Sequence, residues 1–162
     1  MQNTLTFQRL SANHDKQLFE WLQLPHVKLF WDDGDRTLEQ VRAHYFKQDD
    51  VERYLFFIDS QAAGYIQSYS IDASNAYVAY ALPNLNNIGM DFFIGNTDFL
   101  NRKLATTILA EFIRVHAKQA SRIIVDPEPH NLKAIHIYQT AGFVQLGECA
   151  VNDKVHLIFG KD

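Results

Sequence analysis

Residues 125–143 read VDPEPHNLKAIHIYQTAGF, and the order of residue types in this stretch decides the fold. Ser121–Val125 suits a short buried strand that ends at Asp126-Pro127. Asn131 is a good N-cap, so a helix opens there. Ala134 is small enough to let something lie close beside that helix. Tyr138, about two turns in, has a phenol that can reach the same cleft, and Gly142 supplies the left-handed stop. Each feature alone belongs to any capped amphipathic helix. Together, at this spacing and after an Asp-Pro strand end, they are specific.

Outward from this stretch, Phe143–Glu148 and Lys154–Phe159 are expected as two closing strands. Upstream, a helix is expected from about Arg102 to Lys118, with Leu104, Ile108, Phe112 and Val115 as its buried stripe. Ile88–Ile94 reads as a strand interrupted by the charge of Asp91. Arg53–Asp59 and Ala62–Ser70 form a hairpin around Ser60 and Gln61. Thr37 and Gln40 make a capping box for a helix carrying Leu38, Val41 and Tyr45. Before it lies an aromatic and acidic segment, Pro25–Arg36. An earlier helix, with Leu18, Trp21 and Leu22 at helical spacing, ends before Pro25. Thr4–Leu10 alternates as a first strand, with Leu5, Phe7 and Arg9 on one face. The expected order is strand, two helices, three strands, helix, strand, helix, two strands.

The 162 residues suit one domain with one core, and 47% hydrophobic with 21% charged residues excludes disorder as the default. A net charge of -4 argues against a nucleic-acid partner, which calls for a basic face. The one cysteine, Cys149, cannot form an internal disulfide and reads as strand packing in a reducing compartment. No signal peptide and no run of about 18 apolar residues is evident, so a cytoplasmic protein without membrane association is expected. The histidines show no metal-ligand spacing, and His26, His130 and His136 read as loop or helix-surface residues. Monomer and homodimer are both open.

The chain resembles the GNAT N-acetyltransferases. Asn131, Ala134, Tyr138 and Gly142-Phe143 match that family's second signature, and the element order matches over essentially the whole chain. Within the family it is most similar to aminoglycoside 6'-N-acetyltransferases, through Trp21-Leu22, Pro25-His26-Val27 to Trp31, Gly64–Tyr69, Ile88–Asp91 and Asp126–Asn131. The resemblance implies a three-layer α+β fold with a central, mostly antiparallel, twisted sheet flanked by helices, as a single domain over residues 1–162. It implies acetyl transfer from acetyl-CoA, without a metal, to a primary amine of a small molecule, by direct attack.

It also implies roles. The strand through Phe92, Phe93 and Ile94 splays from Ile123–Val125 and pairs with the pantetheine arm. Arg102, Lys103, Leu104, Ala105 and Thr106 cradle the pyrophosphate on free N–H groups. Asn131 and Ala134 lie along the pantetheine, and Tyr138 protonates the leaving thiolate. Asp91 is the base that takes a proton from the acceptor ammonium. Asp126 contacts the acceptor amines, with a turn role beside Pro127 as the alternative. Trp31, Asp32, Tyr69 and Tyr80 line the acceptor side.

Two departures from the family pattern stand out. Its first signature, Gln/Arg-x-x-Gly-x-Gly/Ala, falls on Leu100-Asn101-Arg102-Lys103-Leu104-Ala105, so Leu100 replaces the polar residue and Lys103 the first glycine. A glycine there serves close phosphate approach and positive φ. Asn101 tolerates left-handed geometry, and Arg102 and Lys103 bring two cations. Asn75–Asn87 lacks the carboxylates that a polycationic sugar needs, which leaves Asp32, Asp33 and Asp35, in a segment that also reads as a solvated loop, with Asp91 and Asp126. The aromatic lining of Trp31, Tyr69, Tyr77 and Tyr80 suits a less charged amine. A siderophore-type or protein acceptor, or a non-catalytic domain that has lost coenzyme binding, are the alternatives.

Overall fold

A computed structural model describes residues 2–31 and 33–162. Among them are the strands β1 (Leu5–Arg9), β2 (Glu52–Ile58), β3 (Gln61–Ser70), β4 (Asn87–Ile94), β5 (Arg122–Val125), β6 (Val144–Val151) and β7 (Lys154–Lys161). They hydrogen-bond in the order β1-β2-β3-β4-β5-β7-β6. The helices are α1 (Asp15–Leu22), α2 (Pro25–Lys28), α3 (Leu38–Tyr45), α4 (Ala105–His116) and α5 (Leu132–Thr140). This is the expected α+β architecture, a mixed sheet flanked by helices. No helix among the described residues is long and apolar enough to cross a membrane.

The chain divides into two compact units, one of residues up to Gln67 with Phe92–Lys103, the other of Ser68–Asp91 with Leu104–Asp162. In the first unit β1 pairs antiparallel with β2, from Leu5↔Ile58 to Arg9↔Tyr54. β2 turns into β3 through Asp59 and Ser60, both left-handed at φ 49° and 68°, the turn whose twist matches a hairpin. Thr37 caps α3 as expected: Gln40 N–H donates to its Oγ1 at 3.2 Å, and Thr37 N–H to Gln40 Oε1 at 2.8 Å. The three helices bury Leu18, Trp21, Leu22, Val27, Val41 and Tyr45 together with Leu55 and Tyr65 of the strands, each such side chain contributing about 1.5–3 kcal/mol. Pro25 corrects the expected order. It stands in the first turn of α2, where a missing N–H costs nothing, so three helices, not two, follow β1.

In the second unit β4 and β5 are parallel, while β5–β7 and β6–β7 are antiparallel. Asn152 and Asp153, at φ 51° and 64°, make the same hairpin turn between β6 and β7. The helix α4 begins at Ala105, later than Arg102, because Lys103 is left-handed at φ 56°. Its buried face is Ala105, Ile108, Leu109 and Phe112, and Val115 is 42% exposed. The stripe continues one position further, to His116, whose ring lies 5.2 Å from that of Phe112.

The quoted helix, α5, forms as its local signals require. Asn131 Oδ1 accepts from Ala134 N–H at 3.2 Å. At the other end Gly142 is left-handed at φ 93°. Its N–H donates to Gln139 C=O, and Phe143 N–H to Tyr138 C=O, each at 3.0 Å. These two bonds, with the Tyr138 and Phe143 rings 5.6 Å apart, are a complete Schellman stop with its apolar contact. Lys161 Nζ covers a further carbonyl, that of Ala141, at 2.6 Å.

Candidate active site

In the second unit the parallel ladder of β4 on β5 runs from Asn87↔Arg122 to Gly89↔Ile124 and stops. β4 continues through Met90 and Asp91 to Ile94, while β5 ends at Val125 and leads into Asp126 and Pro127. Two strands that part in this way leave an edge on which an extended ligand can lay its own amides. Gly89 leaves room for Tyr69 of the neighbouring β3, because a Cβ there would lie 2.3 Å from that ring.

Asp126 is held from several sides. Pro127 restricts it to an extended backbone. Leu157 N–H donates to Pro127 C=O at 2.9 Å, and His156 Nδ1 lies 2.9 Å from the Asp126 carbonyl oxygen. Tyr77 Oη donates to Asp126 Oδ2 at 2.5 Å. Burial pushes the Asp126 carboxyl above the usual range, partly offset by the hydrogen bond from Tyr77 and by the influence of Asp91.

Three phenols feel the charges of Asp91 and Asp126. Burial raises Tyr69, Tyr77 and Tyr138, and the charges of Asp91 and Asp126 raise each further. All three therefore remain protonated at neutral pH and act as neutral donors. The loop that carries Tyr77 is fastened from within. The Asn87 side chain donates to the Leu82 and Leu85 carbonyls and accepts from Leu82 N–H. Tyr80, expected on the acceptor side, donates its hydroxyl to Glu148 C=O at 2.6 Å.

The start of α4 has no side-chain cap, so the N–H groups of Ala105, Thr106 and Thr107 face an open end, the arrangement that favours an anion. Asn101 and Lys103 are left-handed, at φ 58° and 56°. The glycine position of the family's first signature thus has positive φ here as well, with a lysine bearing the strain. Arg102 lies over the Phe99 ring, 5.4 Å from its centroid.

In the first unit, Trp31 meets Phe93 edge-on with ring centroids 4.9 Å apart, and Tyr65 at 5.8 Å. Trp31 Nε1 donates to Tyr45 Oη at 2.9 Å, and Tyr45 in turn donates to Asp33. Asp33 also receives Arg36 at 2.7 Å, so it anchors the segment and is no solvated loop aspartate. Asp32 lies outside the described residues. His26 is not a plain surface residue either: its Nε2 is 2.8 Å from Ile94 C=O at the end of β4.

The second unit thus collects Tyr69, Asp91, Asp126 and Tyr138, and the first holds Trp31 and Phe93. The sequence reading missed His156 altogether and placed Tyr77 only as aromatic lining. Both join Asp126 over long sequence separations, which no local pattern reveals. Among the described residues no three His, Cys, Asp or Glu side chains converge so as to hold a metal ion.

The family described as acetyltransferase (GNAT) domain matches residues 11–151. Aminoglycoside N(6')-acetyltransferase type 1 of Klebsiella pneumoniae is 28% identical over 154 residues, 90% of this chain and 77% of that protein. The solved structure of aminoglycoside acetyltransferase AAC(6')-Ib in complex with coenzyme A aligns with a TM-score of 0.83 at 25% identity, over 98% of this chain and 94% of that one. An uncharacterised Bacillus halodurans protein shares the fold with a TM-score of 0.89 at 20% identity, over 99% of this chain and 84% of that one.

Proposed function

Because the chain belongs to the acetyltransferase (GNAT) family, we propose that it transfers the acetyl group of acetyl-CoA to a primary amine of a small molecule, in the cytoplasm, with an aminoglycoside 6'-amine as the first acceptor to test. The family match over residues 11–151 carries this reading, supported by Asp91 on β4 and Asp126 just after β5, whose charges both act on the Tyr138 phenol. The relatives named above supply the coenzyme and the acceptor class.

The residues present fit the coenzyme. The uncapped start of α4 offers N–H groups from Ala105 and Thr106 to a diphosphate. Lys103 and Leu104 lead into it, and Arg102 and Lys103 add positive charge. Phe92, Phe93 and Ile94 supply strand backbone for the pantetheine amides, although the Ile94 carbonyl is already taken by His26. Asn131 and Ala134, in the second unit, are proposed for the pantetheine from their motif positions alone.

An ammonium is no nucleophile, so the acceptor must lose a proton before its nitrogen bonds to the thioester carbon and the carbon–sulfur bond breaks. Asp91, with Asp126, orients the ammonium and takes that proton, directly or through water. Tyr138 is always loaded with its own proton. Its raised pKa makes full transfer to a thiolate, whose acid has a pKa of about 8.5, an uphill step. It therefore stabilises the developing thiolate chiefly by donating a hydrogen bond. Trp31 and Asp32, and separately Tyr69 and Tyr80 of the second unit, are proposed acceptor-binding residues on the resemblance alone.

The test is release of free thiol from acetyl-CoA with a panel of amines: an aminoglycoside bearing a 6'-amine, a polyamine and an arylalkyl monoamine. Amine-dependent thiol release that falls about 100-fold in Asp91→Asn is expected. Absence of release with every acceptor would count against the reading.

A further inference from the structure

A cavity of about 350 Å³ opens in the second unit, and no step of the proposed reaction uses it. One wall is α4, through Thr106, Thr107, Ala110 and Ile113. The end of α5, at Thr140 and Ala141, and Lys161 of β7 complete the lining. The cavity thus touches the open start of α4. Ile108 N–H is the first to find a carbonyl along the helix, that of Leu104 at 2.9 Å. The N–H groups of Thr106 and Thr107 precede it and have no helical partner.

The α5 side would repel an anion if it were bare, because the last carbonyls of a helix carry the negative end of its dipole. Lys161 reverses that sign. Its Nζ donates to Ala141 C=O at 2.6 Å, and an ammonium has three donors, so two remain. No carboxylate among the described residues pairs with Lys161. The neighbouring Asp162 is held through both oxygens by Arg122, at 2.6 and 2.9 Å. Both walls of the cavity are therefore electropositive, and no acid lines it.

A ligand with two anionic groups a sugar apart fits this pattern. Ala110, Ile113 and Ala141 give small or apolar surface for a flat ring, and Thr140 adds a hydroxyl. The volume lies in the range of small-molecule sites, about 300–1,000 Å³. Coenzyme A ends in an adenosine whose one ribose bears both the diphosphate and a 3′-phosphate. We infer that the cavity receives this adenosine and that Lys161 binds the 3′-phosphate, while the diphosphate lies on the start of α4. The inference rests on the coenzyme binding proposed above. Lys161 belongs to neither signature segment of the family: it stands on the last strand, 20 residues beyond Ala141.

The test is a double-mutant cycle read by calorimetry at low salt. Coenzyme A and its dephospho form, which lacks the 3′-phosphate, are each titrated into wild type, Lys161→Gln and Lys161→Arg. Wild type is expected to bind coenzyme A about 10-fold more tightly than the dephospho form, a preference that shrinks as salt is added. Lys161→Gln should weaken coenzyme A about 10-fold and the dephospho form less than about 2-fold. Lys161→Arg keeps the charge and should keep most of the preference. In the phosphorus NMR spectrum of the complex, the 3′-phosphate signal should move in Lys161→Gln while the diphosphate signals stay. Ala110→Phe, on an exposed position of α4, fills the cavity without touching the Lys161 bond and should weaken both coenzymes. A lysine that only closes α5 would lower Tm in Lys161→Gln and change both affinities alike, which would overturn the inference. Unchanged affinities in Ala110→Phe would overturn it too. Wild type binding the two forms equally sinks this inference alone, whereas binding neither sinks the functional reading with it.

Discussion

Burial of Asp126 has a stability consequence of definite sign. The folded chain holds the Asp126 proton to higher pH than the unfolded chain does, because burial raises its pKa. Between the two values the folded state binds more protons, so stability falls as pH rises from about 3.9 through the folded value. Asp126→Asn removes this penalty. Its carbonyl can still accept from Tyr77. The variant should be more stable than wild type at pH 7, with the advantage shrinking as pH falls below the folded value, as thermal melts at a series of pH values would read. A gap that stays constant across the series would mean that Asp126 is not the source. Lys103 makes a second case in which stability and function part. It carries φ 56°, a conformation that costs a non-glycine residue about 1–2 kcal/mol, against about 0.5–1 kcal/mol of extra chain entropy for glycine. Lys103→Gly should therefore stabilise the fold by about 0.5–1 kcal/mol. If the lysine charge serves the diphosphate, the same variant should bind coenzyme about 3–10-fold more weakly at low salt. Melting and titration of one variant give both signs.

The helix α5 was legible in the sequence because each of its signals acts within a few residues: Asn131 bonds Ala134, and Gly142 and Phe143 bond Gln139 and Tyr138. Both hairpins were legible for the same reason, although their turns are Asp59-Ser60 and Asn152-Asp153 and neither contains glycine. The first helix does end before Pro25, as expected, but the reading missed that the same proline opens α2. It also failed at Val115, where the spacing counted from Leu104 drifts off the buried face. Of the candidate site, Asp91, Asp126 and Tyr138 are proposed through motif position, whereas the hold of Tyr77 on Asp126, across 49 residues, exists only in the folded chain. At this scale Gly142→Ala is the informative change. It forces a Cβ into φ 93° and within 3.1 Å of Lys161 Nζ, the group that covers Ala141 C=O. A loss of about 1–2 kcal/mol is expected, read as a fall of about 2–8 °C in Tm. Activity per folded molecule should fall too, because Tyr138 belongs to the same Schellman stop.

At the scale of the whole chain, the match to the acetyltransferase family over residues 11–151 gives the chemistry, while the charge distribution bears on the acceptor. A net charge of -4 on 162 residues is modest. The loop of residues 75–87 brings aromatic rings and no carboxylate to the unit that holds Asp91 and Asp126. A polycationic sugar needs several compensating charges, so a monoamine should outperform a polyamine in kcat/KM across the acceptor panel. All of this presupposes that the altered loop at Asn101–Lys103 still receives the coenzyme. The most direct test is calorimetric titration of the purified chain with acetyl-CoA, with dephospho-coenzyme A as control. The account predicts saturable binding in the micromolar range or tighter, about -8 kcal/mol. No detectable binding at millimolar coenzyme would contradict it.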